Sequence, residues 1–387
     1  MSIRELDRQY VANTYKRFPV EIVSGKGSVV RDTDGREYID MGSGIAVTSF
    51  GVADEIWQKA VIEQIGKVQH TSNLYYTEPC AKLAEALCTR TGMKKVFFSN
   101  SGAEANECMI KAARKWAAEN KGADCFTIAT LKNSFHGRTL TTLAATGQAH
   151  YHELFQPLTP GFVSVDAGSI AQLDEANAQT PLAAVMIECI QGEGGVVPLD
   201  PAYAKALSGW TKKNDVLLLI DEVQTGNGRT GALYAYMNYG FQPDAASTAK
   251  GLAGGLPLGA TLLGERLEGV LGYGDHGSTF GGNPVACAAA LSVLGRIDAD
   301  LLADVRRKSR MVFEALDGAP GVEAVSGMGL MIGVKCAKPA AEIVTKCIER
   351  GVLFLTAKDK VRLLPALNIP DELLMKAVNI LKEAAAE

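Results

Sequence analysis

The chain lacks the features that would commit it to several broad classes. Its longest run without a charged residue, Gly277 to Gly295, contains Gly281-Gly282-Asn283-Pro284, and a turn of that composition does not span a bilayer. Neither sign of charge is in excess. With 39 Lys and Arg against 43 Asp and Glu the net charge is −4, so electrostatics gives no reason to expect nucleic acid or a membrane surface. Paired cysteine motifs are missing too. Cys80, Cys88, Cys108, Cys125, Cys189, Cys287, Cys336 and Cys347 are scattered without a CxxC and read as free core thiols. Histidine is scarce, and His150 and His152 are spaced for neither a zinc helix nor a closed site, so no metal is expected. The opening MSIRELDRQYVANTYKRFP has charges throughout and no apolar segment. That composition is not a secretory signal, and a cytoplasmic location is expected.

What is present is a chain of 387 residues, long enough for two domains and a large core. In its middle, short apolar runs alternate with helical patterns. Val96-Phe97-Phe98, Phe126 to Ala129, Ala183 to Ile187 and Val216 to Ile220 read as buried strands, which predicts an α/β fold with a mainly parallel sheet. Between the first two runs, Ala105, Cys108, Met109, Ala112, Ala113 and Trp116 keep the spacing of one apolar helix face. VEIVSGKGSVVRDTDGREYID instead alternates around a turn at Asp34-Gly35. The last hundred residues mix strand-like runs (Leu330 to Val334, Val352 to Leu355, Val361 to Leu364) with a closing amphipathic helix, so both ends read as a separate α+β lobe.

Ligands of open parallel sheets sit beyond the carboxyl ends of the strands, where this chain carries SNSGAEA, TLKNSFHGRT, ECIQGEGG and DEVQTGNGRTG. SNSGAEAN leads into the amphipathic helix and reads either as a phosphate seat on its free N–H groups or as a plain N-cap. Asp221 ends a run of five apolar residues, where a carboxylate needs a partner; with Glu222 beside it, one of the two is expected to face water. Lys250 stands alone in STAKGLAGGLPLGA among glycines that suit close backbone approach, and a buried amine is a candidate Schiff-base former. A phosphate seat, a carboxylate for a protonated ring nitrogen and such a lysine are together what pyridoxal 5'-phosphate requires. Phe135, in NSFHGRT, has a face to offer the ring or an ordinary place in the core. Gly272-Tyr273-Gly274-Asp275-His276-Gly277 fits GxGxxG, but neither strand, helix nor distant acid accompanies it, and it reads as a loop.

With these segments in view the chain resembles the class III aminotransferases over nearly its whole length, most closely the acetylornithine branch. SNSGAEAN, NSFHGRT, IQGEGGV, DEVQTGNGRTG, AKGLAGGLPLGA and HGSTFGGNP match the family's signatures in order, and TSNLYY matches that branch. The resemblance implies fold type I, with a large pyridoxal-phosphate domain around a seven-stranded sheet and a small domain from both termini: 1–45 in the small domain, 46–285 the large domain, 286–387 the rest of the small one. It implies that Gly102 and Ala103 take the cofactor phosphate, that Phe135 stacks on the ring, that Ser101 and Val223 also bind the cofactor, and that Asp221 meets the ring nitrogen. Gln224 is then expected near the cofactor hydroxyl and Lys250 at the aldehyde. Thr279 matches a threonine that reaches the phosphate from the other subunit, so a homodimer with shared sites is expected. Arg138, Ser278 and Arg362 match substrate-contacting residues, and Glu193 matches a glutamate that covers the arginine here numbered Arg362. Where the family usually has Gly-His before a proline this chain has Gly51-Val52-Ala53-Asp54, and Cys189 stands where a proline is usual.

Two arginines aimed at one pocket suit a substrate with two carboxylates, such as glutamate or 2-oxoglutarate; without the resemblance each is equally readable as a solvated or ion-paired residue. The expected reaction is transfer of the δ-amino group of N2-acetylornithine to 2-oxoglutarate, in arginine biosynthesis. Ornithine, succinylornithine and 4-aminobutyrate are alternative donors, and a pyridoxal-phosphate aminomutase or a catalytically silent binding protein are the more distant readings.

Overall fold

Apolar runs buried on both faces need helices on both sides of their sheet, and the computed structural model, which describes residues 2–387, has that arrangement. Its central strands are β1 (Lys95–Ser99), β2 (Thr127–Leu131), β3 (Phe162–Val165), β4 (Leu182–Ile187), β5 (Leu217–Asp221), β6 (Ala245–Thr248) and β7 (Gly259–Leu263). They lie in the order β1-β7-β6-β5-β4-β2-β3. Only β7 runs against its neighbours, β1 and β6; the other pairs are parallel. Every residue of β2, β4, β5, β6 and β7 is buried.

The four apolar runs of the sequence become β1, β2, β4 and β5, shifted by at most two residues at either end. After β1 the chain enters helix α1 (Gly102–Lys121), capped by Ser101, whose Oγ accepts from Glu104 N at 3.2 Å. The periodic face Ala105, Cys108, Met109, Ala112, Ala113 and Trp116 is buried, which anchors α1 against the sheet and fixes its N-terminus at the carboxyl edge.

A second core joins the two ends of the chain. Strands Ile22–Lys26, Val29–Asp32 and Glu37–Asp40 form one sheet with Val352–Leu353, turning at Gly35 with φ +80. Val322–Met328, Met331–Cys336, Lys360–Leu363 and Leu355–Ala357 form another. Tyr38 and Met41 from the beginning of the chain share a core with Ile332, Ile343, Phe354 and Leu381 from its end. Helix α2 (Pro284–Leu294), capped by Asn283, instead packs Cys287, Ala290 and Val293 into the large core, as does Ile297 beyond it. Among the described residues no helix is long and apolar enough to cross a membrane. All eight cysteines are free, six of them buried.

Asp221 and Glu222 are 4% and 0% exposed, which corrects the expectation that one of them faces water. Glu222 is satisfied internally, accepting from Thr225 Oγ1 at 2.5 Å and Tyr236 N at 2.8 Å. Burial pushes its carboxyl from the usual 4.5 up to about 7. A raised carboxyl contributes its stability fully below the unfolded value and loses it as pH rises through the folded one. Glu222→Gln keeps the volume and a donor–acceptor pair, so the difference in Tm between variant and parent should grow in the variant's favour from pH 5 to pH 8. A difference that stays flat in a thermal-denaturation series would show that the buried charge is not what limits stability there.

Candidate active site

The turns after β1, β2, β4, β5 and β6 converge on one cavity of ≈ 670 Å³. Ser101, Gly102, Ala103, Phe135, Arg138, Glu193, Asp221, Val223, Gln224 and Lys250 line it. Its floor is the end of β5. Asp221 Oδ2 accepts from Asn106 Nδ2 at 2.7 Å and lies 2.9 Å from His136 Nδ1, while Oδ1 accepts from Val223 N at 3.0 Å. Three segments thus hold one buried carboxylate by hydrogen bonds. Neither Asn106 nor His136 stands out in the sequence as a site residue. The signal that marks Asn106 is a polar side chain interrupting the buried face of α1.

At the N-terminus of α1 the first N–H groups have no partner within the helix. Two close approaches shape that end. A Cβ on Gly102 would lie 2.6 Å from Val223 Cγ1, and one on Gly259 would lie 2.3 Å from Ser101 O. The Ser101 turn is therefore pressed between the start of β7 and the residue after Glu222. Ser101 is both the N-cap and a lining residue, so the cap and phosphate-seat readings describe the same turn.

Lys250 follows β6 in a turn that gives it φ +46. Burial pulls its ammonium down to about 8, with Arg362 acting in the same direction and Glu193 and Asp221 opposing. The glycines beyond it let the chain fold back against the large body: Gly254 and Gly255 take φ +61 and +136. Trp57 Nε1 donates to Ala253 O at 2.8 Å and braces this turn. Trp57 belongs to a helix capped by Asp54, which also pairs with Arg296 at 2.6 Å. The unusual Gly51-Val52-Ala53-Asp54 segment thus ends in a residue that supports the lysine turn. Cys189 is fully buried, and its carbonyl accepts from Tyr239 Oη at 3.3 Å.

The walls carry the remaining charge. Phe135 N donates to Glu188 Oε2 at 3.0 Å, and Glu188, also in the lining, is driven up to about 7 by burial. Arg138 is exposed, its guanidinium 4.9 Å from the centre of the Tyr151 ring and 5.8 Å from that of Phe135, a cation–π arrangement. Arg362, in strand Lys360–Leu363, is only 3% exposed and pairs with Glu193 Oε1 at 2.5 Å. Burial raises the Glu193 carboxyl, but Arg362, Lys250 and the Gln224 amide outweigh it and hold it below its usual value. Arg362 itself stands behind Glu193, outside the lining. Ser278 is set back as well, accepting from Asn100 Nδ2 at 3.1 Å. Thr279 is exposed on the surface turn that follows and does not enter the cavity of its own chain. Residues 272–277 form a turn closed by Gly272 N donating to Asp275 Oδ2 at 2.7 Å.

A buried amine near its neutral form, a carboxylate fixed at the floor and unpaired N–H groups at a helix end are the donor set that pyridoxal phosphate needs. Fold and site thus fit the class of pyridoxal-phosphate enzymes. The model of the class-III aminotransferase family matches residues 10–385, and the chain belongs to that family. It is 49% identical to the acetylornithine aminotransferase of Haemophilus ducreyi, over 100% of this chain and 98% of that one. Among solved structures, an ornithine aminotransferase from Toxoplasma gondii with partial occupancy of PLP at its active site superposes with a TM-score of 0.93. It is 32% identical, over 99% of this chain and 93% of that one. The N-acetylornithine aminotransferase of Stenotrophomonas maltophilia K279a gives 0.85 at 35% identity, over 99% and 98%. The protein is a pyridoxal-phosphate-dependent transaminase.

Lys250 should differ from every surface lysine. In protein freed of cofactor, reductive labelling by pyridoxal at Lys250 should rise with pH through a midpoint near its depressed value of about 8, because only the unprotonated amine attacks an aldehyde. Peptide mapping across a pH series reads this directly. Lys250→Ala should keep the fold and lose about 10²–10⁴-fold or more in kcat, the scale of a positioned acid–base group. A labelling midpoint near 10, or an active Lys250→Ala protein, would remove this lysine from the chemistry.

Proposed function

We propose that the protein transfers the δ-amino group of N2-acetylornithine to 2-oxoglutarate, giving N-acetylglutamate 5-semialdehyde and glutamate, as a step of arginine biosynthesis in the cytoplasm. The observation that carries this reading is the unequal state of the two arginines. Arg138 is exposed in the cavity, whereas Arg362 is buried and covered by Glu193. With Glu193 in place Arg138 is the uncovered one of the two arginines, which suits a donor with a single carboxylate; with Glu193 displaced both are uncovered, which suits 2-oxoglutarate.

When bound, pyridoxal phosphate supplies the aldehyde that exchanges amino groups and the ring that accepts electrons from the substrate carbon. Asp221, fixed in place by its three hydrogen bonds, would face the ring nitrogen and favour a proton there. With the cofactor bound, Lys250 would take the proton from the carbon bearing the donor's amino group and deliver it to the cofactor carbon that takes up the amino group, a task that suits an amine poised near pH 8. The N-terminus of α1, with Ser101, Gly102 and Ala103, binds phosphate. Phe135 stacks on the ring and Gln224 lies by the cofactor hydroxyl, while Ser278, bonded to Asn100, stands behind the cavity edge. The donor's δ-carbon carries only hydrogen where glutamate carries its α-carboxylate, so the donor has no group that needs Arg362 while Glu193 covers it.

We assign the working form as a homodimer. Thr279 is exposed next to Phe280, and Tyr273, Leu74, Tyr75 and Tyr76 are exposed large apolar side chains, which supports a partner surface near the site mouth. Thr279→Ala chains mixed with Lys250→Ala chains should regain activity, since one of the two sites then holds both intact residues. Mixed dimers no better than either parent would rule out shared sites. For the substrate, kcat/KM with 2-oxoglutarate should be at least about tenfold higher for N2-acetylornithine than for ornithine, succinylornithine or 4-aminobutyrate, the scale set by one or two pocket contacts. A different leader in that panel would replace the donor named here.

A further inference from the structure

We propose that Gln224 is a specificity-determining positioning residue: its amide latches Glu193 onto Arg362 and so sets how readily Arg362 is released to a carboxylate. The inference rests on the reading above that Arg362 receives a substrate carboxylate. One side chain spans both members of the pair. Gln224 Oε1 accepts from Arg362 Nη1 at 3.1 Å, and Gln224 Nε2 donates to Glu193 Oε1 at 3.2 Å. Only this orientation of the amide satisfies both neighbours, because a guanidinium has no acceptor and a carboxylate no donor. Both bonds have an ionised partner, the stronger kind.

The backbone keeps the latch in register. A Cβ on Gly192, the residue before Glu193, would lie 2.4 Å from Gln224 Oε1 and 2.9 Å from Met331 Cε. The amide is therefore seated against a bare Cα, with no room for a side chain between it and the loop that carries Glu193. That loop is held in turn by Gly192 N, which donates to Glu188 Oε1 at 3.3 Å.

The consequence follows from counting bonds in two states. With Glu193 on Arg362 the amide makes two bonds to the pair; with Glu193 displaced it keeps one, to Arg362. Gln224 therefore favours the covered state by one hydrogen bond and biases the site toward donors that leave Arg362 alone. A ligand that needs Arg362 must work against that bias.

The test is the affinity of the holoenzyme for glutarate, a five-carbon dicarboxylate with no amino or keto group to react. Dissociation constants are measured by calorimetry for the parent, Gln224→Met, Glu193→Ala and the double variant, with cofactor content checked by absorbance. Gln224→Met should tighten glutarate binding by about 3–10-fold, the scale of one hydrogen bond, in the parent background. It should give no tightening in the Glu193→Ala background, where there is nothing to latch. Gly192→Ala, which displaces the same amide without changing its chemistry, should shift affinity in the same direction as Gln224→Met. A residue that merely shapes the pocket would weaken binding in both backgrounds when removed. Glutarate binding that Gln224→Met leaves unchanged or weakens, or tightens equally in both backgrounds, would overturn the latch alone. Absence of glutarate binding in all four proteins would overturn the two-arginine reading and the latch with it.

Discussion

The carboxylate of Asp221 is the constraint on which the rest of the site depends. A charge at the end of a buried strand is tolerated only if it is fully hydrogen-bonded, and here the bonds come from three places in the sequence. Asn106 brings α1, His136 brings the turn after β2, and Val223 brings the turn after β5. Satisfying one carboxylate therefore fixes the helix end that faces a phosphate, the loop that presents Phe135 and Arg138, and the segment that carries Gln224. The helix and loops need no separate positioning device, because the sheet has already delivered them to the same edge.

A second constraint links this edge to the small body. Arg229 is fully buried without a carboxylate partner, and its Nη1 donates to the carbonyls of Leu330 and Pro365. Leu330 precedes strand Met331–Cys336, whose Gly333 pairs with Arg362 in the neighbouring strand. The same small sheet that Arg229 ties down thus supplies Arg362 to the cavity wall. Arg362 and its covering glutamate thus sit at the joint of the two bodies, whereas Asp221 and Lys250 belong wholly to the large one. Changes in how the bodies meet act first on Arg362 and only then on the amine.

What was legible in the sequence follows the same division. β1, β2, β4 and β5 are runs of apolar residues, and the face of α1 repeats every three or four residues, so periodicity reveals them. β6 and β7, AAST and GATLL, are made largely of small residues and become strands because β5 and β1 offer their edges, which is a tertiary cause that no local pattern records. Lys250 and Asp221 are conspicuous because a charge is rare in such surroundings. Asn106 and His136 are not, since a neutral amide and an imidazole near a loop have many ordinary uses. The burial of both Asp221 and Glu222 was missed for a related reason: the Thr225 hydroxyl and Tyr236 N–H that satisfy Glu222 become visible only once the following turn is folded over it.

The charges inside the cavity also explain why covering Arg362 is better than omitting it. On the reading proposed above, an apolar residue at 362 would need no covering carboxylate, but it would leave a dicarboxylate with one carboxylate unpaired in a largely buried site, at a cost of several kcal/mol. A permanently bare arginine fails in the opposite direction, because its own burial, 3% exposed, would be uncompensated whenever the donor is bound. On that reading Glu193, the internal carboxylate paired with Arg362, would remove both penalties by holding the guanidinium until an external carboxylate replaces it. Burial raises the Glu193 carboxyl, but Arg362, Lys250 and Gln224 outweigh it and hold it below the usual value, the direction that favours the charged partner Arg362 needs. One residue pair would then serve two substrates of different charge with no change in the set of side chains, only in which carboxylate the guanidinium faces.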